Sequence, residues 1–222
     1  MPPDFDGPVF DRIARPYRWL EYLSFGPMLE RCRLHFLPQL VSARRALVLG
    51  DGDGRFLARL LETNPLLHAD VVDLSPAMLK LLQARAAHIG ALHRITLHCA
   101  DALAFNPSAT YDLVVTHFFL DCFTTEELTA LAAGIQSHLS ADARWIVSEF
   151  AIPPGPMAFP AKCIVRNLYA AFRILTGLRV RQLPDHAEVL SAIGLLPSAR
   201  RNWLGGMLVS ELWETPGNRS HR

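Results

Sequence analysis

Between residues 44 and 150, short apolar runs alternate with segments whose apolar residues recur every three or four positions. Ala46-Leu47-Val48-Leu49, behind Arg44 and Arg45, predicts a short buried strand. It runs into Gly50, Gly52 and Gly54, and Phe56, Leu57, Leu60 and Leu61 then predict a helix over 54–62. Residues 69–73 predict a second strand ending on Asp73. Ser75 as N-cap and Pro76 at the first helical position then open a helix carrying Met78, Leu81 and Leu82 toward His88. Further strands are expected over 94–99, 111–116 and 144–149. A helix with a Thr124/Glu127 capping box runs from Thr124 to about Leu139. Strands interleaved with crossover helices predict an α/β fold with a parallel, doubly wound sheet. Ligands of such sheets lie beyond the carboxyl ends of the strands. Asp51, Asp53, Asp73, Asp101, His117 and Asp121 all fall at or just past those ends.

The flanks differ from this core. Residues 9–37 carry apolar and aromatic positions at helical intervals, divided by Pro16 and Gly26-Pro27, and predict an amino-terminal helical cap. Its Tyr17, Trp19 and Tyr22 either cover one end of the sheet or roof a ligand pocket. Pro153, Pro154, Pro156 and Pro160 predict an irregular loop, followed by a helix over 161–176 bearing Tyr169 and Phe172, and a shorter one over 185–193. Residues 199–204 and 207–213 flank Gly205-Gly206 and predict a hairpin. The expected organisation is one domain over 1–222: a cap at 1–43, a core at 44–150, late helices and a hairpin at 151–214, and a tail at 215–222. His186 reads as a surface residue.

Composition narrows the classes. At 222 residues and 50% hydrophobic, the chain suits one well-buried domain. A net charge of +1 with 19% charged residues offers no broad basic face, against a nucleic-acid partner. The four cysteines are scattered without a CxxC pair, so reduced thiols and no metal site are expected. The start lacks the pattern of a signal peptide, and no apolar stretch approaches ~20 residues. Together these predict a cytoplasmic protein with no membrane span. The oligomeric state is not legible.

The glycine loop could serve several nucleotides. A dinucleotide fingerprint fails because its third glycine would be Arg55 or Leu57, and a P-loop fails because no Gly-Lys-Ser/Thr follows. The stretch 47–55, LVLGDGDGR, is similar to the first motif (acid-x-G-x-G-x-G) of class I S-adenosylmethionine-dependent methyltransferases. The stretch 72–79, VDLSPAML, resembles that family's second motif, Ala100-Asp101-Ala102 its third and Tyr111-Asp112-Leu113-Val114-Val115 its fourth. The resemblance covers about 44–150. Residues 10–17 look more loosely like the opening of ubiquinone and menaquinone methyltransferases. It implies a Rossmann-like seven-stranded sheet of order 3-2-1-4-5-7-6 with the last strand antiparallel, and S-adenosylmethionine as cofactor, leaving S-adenosylhomocysteine.

Aligned on this motif, Gly50 stands at the family's acid position and Phe56 at its last glycine. Asp51 and Asp53 are then the two candidates for the methionine ammonium, and Arg55 a candidate for its carboxylate. The resemblance further assigns Asp73 to the ribose diol and Asp101 to the adenine amine. Gly50, Gly52, Gly54, Leu74, Ser75, Met78, Ala102, Thr116, His117 and Phe118 would line the rest of the cofactor site. His117 is the candidate general base and Asp121 its orienting or acceptor-binding partner, with Glu149 and Tyr169 as weaker candidates. Tyr17, Trp19, Tyr22, Tyr169 and Phe172 are the expected substrate contacts. The expected function is methylation of a small, partly apolar molecule at oxygen, carbon or nitrogen. The alternatives are a non-methylating use of the cofactor, by cyclisation or aminobutyryl transfer, and a non-catalytic cofactor-binding regulator.

Overall fold

The computed structural model describes residues 27–159, 161–165 and 183–217. Tyr17, Trp19, Tyr22, Tyr169 and Phe172 lie outside the described residues. The strands are β1 (Arg45–Leu49), β2 (His68–Asp73), β3 (Ile95–Cys99), β4 (Tyr111–His117), β5 (Leu139–Phe150), β6 (Leu196–Trp203) and β7 (Leu208–Glu214). They form one sheet in the order β3-β2-β1-β4-β5-β7-β6. The first five pair in parallel, and β7 runs antiparallel to both β5 and β6, as expected for this topology.

Strand alternation divides the side chains between two apolar layers. On one face Val48, Val71 and Val115 meet Phe56, Leu57, Leu60 and Leu61 of α2 (Arg55–Thr63), and Leu79 and Leu82 of α3 (Pro76–His88). α1 (Pro27–Leu34) extends this cover, packing Leu29 and Cys32 against Phe150 and Leu208. On the other face Leu47, Leu49, Val114 and Trp145 meet Leu128, Leu131 and Ile135 of α4 (Thr125–Gln136). Val189 and Leu190 of α5 (His186–Ala192) complete that layer. The expected caps are in place: Ser75 accepts from the Met78 N–H, and Thr124 and Glu127 form a reciprocal capping box.

Three expectations are corrected. α4 stops at Gln136 and β5 begins at Leu139, because Leu139 pairs with Tyr111 across a register shift instead of extending the helix. β6 begins at Leu196 and includes Pro197; at an edge of the sheet the missing N–H costs no ladder bond. Its link to β7 is a turn over Leu204, Gly205 and Gly206, all at positive φ, so Leu204 joins the glycine pair in making it. His186 is also not a free surface group. Its Nε2 lies 2.9 Å from Oε2 of buried Glu211, which Arg200 also meets at 2.9 Å, so the pair pins α5 to β7.

Candidate functional site

The carboxyl ends of β1, β2 and β4 converge on the loop 50–54. β1 ends at Leu49 and α2 begins at Arg55, so Gly50, Gly52 and Gly54 make up the turn, all with positive φ. This corrects the motif alignment by two residues. The three glycines are those of acid-x-G-x-G-x-G, its acid position is Val48 inside β1, and Phe56 is a core residue of α2. Gly54 caps α2 at φ 76, and a Cβ there would come within 2.6 Å of the Leu82 side chain. Because glycine has no side-chain acceptor, Asp51 reaches over and accepts the third helical N–H, of Leu57, at 3.0 Å.

The two acids of the loop have different fates. Asp53 meets Arg55 Nε at 3.0 Å and Arg85 at 3.1 Å, while Arg85 Nε donates to the Asp53 carbonyl. That clamp joins the loop to α3 and occupies Arg55. Asp51 keeps some exposed surface, but the protein packed around its carboxyl pushes its pKa up to about 7. Arg33 of α1, a residue the sequence reading did not single out, lowers it in part. The Arg33 guanidinium stands 5.0 Å over the Phe118 ring, bringing a cation to the same end of the sheet.

Asp73 ends β2. Its Oδ1 accepts from the Ser75 N–H at 2.8 Å, and burial raises its carboxyl to about 6. Leu74 is exposed beside it and Met78 half-buried on the first turn of α3. Asp101, after β3, accepts from the Leu103 N–H at 2.9 Å, closing the turn that carries Ala102. Two half-buried carboxyls, Asp51 and Asp73, at a positive-φ glycine loop and a helix N-terminus fit a ligand with a cation at one end and hydroxyls at the other.

The family model described as a methyltransferase domain matches residues 47–145. This stretch is thus similar to a methyltransferase domain, consistent with the class I S-adenosylmethionine-dependent family. The fold is shared with solved structures. An O-methyltransferase family protein from Burkholderia thailandensis aligns with TM-score 0.69 at 14% identity, over 94% of this chain and 59% of its own. The N-methyltransferase NodS from Bradyrhizobium japonicum, in complex with S-adenosylhomocysteine, aligns with TM-score 0.63 at 15% identity, over 85% of this chain and 88% of its own. Polyamine aminopropyltransferase 2 from Bacillus cereus is 27% identical over a 135-residue alignment that covers 55% of this chain and 37% of that protein. The chain therefore spans well under two thirds of this curated relative. No helix among the described residues is long and apolar enough to cross a membrane.

The exit of β4 is built by β5. Thr116 is fully buried, donating to the Ile146 carbonyl and accepting from Trp145 Nε1 at 2.9 Å, so its side chain belongs to the core. His117 is 3% exposed, with Nδ1 2.9 Å from Ser148 Oγ and its ring edge-on to Phe56 at 4.3 Å. Burial, with the nearby Arg33 charge, holds the imidazole well below its ordinary pKa and therefore neutral. Phe118 follows at φ 53, unusual for a side-chain-bearing residue, with its ring 5.3 Å from that of Phe150. Glu149, 2% exposed, accepts the N–H groups of Phe119 at 3.0 Å and Leu120 at 2.8 Å. Burial, and then the Asp121 charge, raise its carboxyl well above the usual range, against the pull of these amides. The same causes raise the Cys122 thiol.

Proposed function

We propose that the protein transfers the methyl group of S-adenosylmethionine to a small, partly apolar acceptor, at oxygen, carbon or nitrogen. The observation that carries this reading is the placement of Asp73 at the end of β2, beside the three-glycine turn whose Gly50 N–H donates to the Val72 carbonyl at 3.0 Å, where a ribose diol can donate to its carboxylate. Asp51 supplies the carboxylate for the methionine ammonium, since Asp53 is neutralised by two arginines. Asp101 and Leu74 border the adenine, and Arg33, whose charge acts on Asp51, is the candidate for the methionine carboxylate, with Arg55 engaged by Asp53.

The cofactor supplies a methyl carbon already activated by a sulfonium, so the chain's own residues contribute mainly alignment and exclusion of water, effects capable of supplying ~7–11 kcal/mol. His117, neutral and enclosed between Phe56 and Ser148, serves as a wall of the cleft; an imidazole so far below its ordinary pKa is a weak base near neutrality. Asp121, in the turn after β4, is the acid closest in sequence to the acceptor side.

Titration calorimetry with S-adenosylhomocysteine is the first test, with Asp73→Ala expected to weaken binding by ~1–3 kcal/mol, roughly 5- to 150-fold. An unchanged Kd for that variant puts the ribose elsewhere. The similarity to polyamine aminopropyltransferase 2 favours one second reading, transfer of a different arm of the cofactor. Product analysis after incubation with a panel of phenols, quinols, amines and carboxylates separates the two. S-adenosylhomocysteine supports methyl transfer, and methylthioadenosine supports the second reading.

A further inference from the structure

At the exit of β4 the chain departs from ordinary backbone geometry. Phe118 is left-handed, and its N–H donates to the Ser148 carbonyl at 2.7 Å, ending the β4–β5 ladder. The next two N–H groups point away from any strand and would be orphaned in a buried setting, a cost of ~1–3 kcal/mol each. Both are taken by one oxygen, Oε1 of Glu149. The consequence reaches the cleft. The Phe119 ring lies against Gly50 closely enough that any Cβ there would collide with it. The Phe118 ring is set between Arg33 and Phe150. The first glycine of the loop and the Phe119 ring are thus matched through Glu149, which fixes the N–H of Phe119 while the Phe119 ring meets Gly50.

We propose that Glu149 is a positioning residue. By reach and hydrogen-bond acceptance it sets the 118–121 turn, and with it the two aromatic walls of the cleft. The turn's effect on cofactor binding rests on the function proposed above; its effect on the turn itself does not. Two variants separate reach from charge. Glu149→Gln keeps the length and the accepting oxygen and loses the carboxyl; Glu149→Asp keeps the carboxyl and withdraws it by one C–C bond, about 1.5 Å.

Hydrogen exchange of a peptide spanning 116–123, with no ligand added, is the primary readout, and the Kd for S-adenosylhomocysteine the second. Glu149→Gln is expected to exchange like the wild type and to keep its affinity within about threefold. Glu149→Asp is expected to exchange at least about tenfold faster in that peptide, with β1 and β5 peptides unchanged, and to bind at least about tenfold more weakly. The reverse ranking would assign the residue a charge role and overturn the proposal. So would two variants that both match the wild type, or two that are equally impaired. If the exchange pattern holds while even the wild type fails to bind S-adenosylhomocysteine, the cofactor reading falls and the positioning role stands.

Discussion

Asp51 and Asp73 carry opposite preferences in folding and in binding. Burial raises them to about 7 and about 6. A carboxyl raised on folding contributes stability below its unfolded range, near ~4, that is lost as pH climbs through the folded value. The protein is therefore expected to melt at a lower temperature at pH ~8 than at pH ~5.5 through these two groups, and Asp51→Asn to remove the upper part of that loss. In the proposed site binding runs the other way, since an ammonium beside Asp51 and a diol donating to Asp73 would both favour the carboxylates. S-adenosylhomocysteine affinity should rise over the same interval, and flatten near pH ~7 in Asp51→Asn. Calorimetry at constant ionic strength across that range decides it; parallel profiles for wild type and variant remove Asp51 from the site. These residues were all visible in the sequence as acids past strand ends. Which of Asp51 and Asp53 is engaged was not, because Arg85, the second arm of the Asp53 clamp, comes from α3, 32 positions away.

The strand–turn–helix units read well because each carries its own signals: apolar runs, glycines and caps. Two glycines show how differently the same residue type is used. Gly134 lies within α4 with nothing within 4 Å of a built Cβ, next to a small apolar cavity of about 30 Å³ lined by Leu47, Ala102, Leu103 and Phe105. Gly134→Ala is expected to stabilise by up to ~1 kcal/mol, since alanine is the better helix former and nothing must move. Gly54→Ala, at positive φ against Leu82, is expected to cost ~1–3 kcal/mol and to loosen the loop it caps. Urea midpoints measured side by side test both; equal shifts would mean that local backbone geometry is not what distinguishes them. Element ends were less legible. The α4–β5 boundary moved because pairing of Leu139 with Tyr111 outweighs helix propensity, a contact with no local trace.

One polar knot ties four strands together. Asp70 of β2 receives Arg45 of β1 at 2.9 Å and the Tyr111 hydroxyl of β4 at 3.1 Å, and lies 3.2 Å from His98 Nε2 of β3. Burial alone would raise the Asp70 carboxyl, but the hydrogen bonds from His98 and Arg45 and the Arg45 charge outweigh it and hold it below its ordinary value. Its contribution is therefore present above the usual carboxylate range and lost as pH falls through that lowered value. Asp70→Ala leaves the buried Tyr111 hydroxyl without this acceptor, while Arg45, 46% exposed, turns to water. A loss of ~1–3 kcal/mol at neutral pH is expected, shrinking in acid. Denaturant melts at two pH values check it, and a loss that stays the same size in acid would contradict the charge pairing.

Periodicity and turn chemistry were sufficient for the strand–helix alternation, the doubly wound sheet and the ring of acids at its carboxyl end, because those patterns act over a few residues. The hairpin that carries β7 and the glycine loop also followed from motifs that lie contiguous in the chain, while the strand order with a reversed β7 was what the family resemblance implied. Contacts between distant segments chose the rest. Arg85 clamped Asp53 and not Asp51, and Ser148 and Phe56 enclosed His117. Glu149 gathered the amides of Phe119 and Leu120. Burial and hydrogen-bond partnership are properties of neighbours in space, and they set the charge and the aim of a side chain whose identity alone leaves both open.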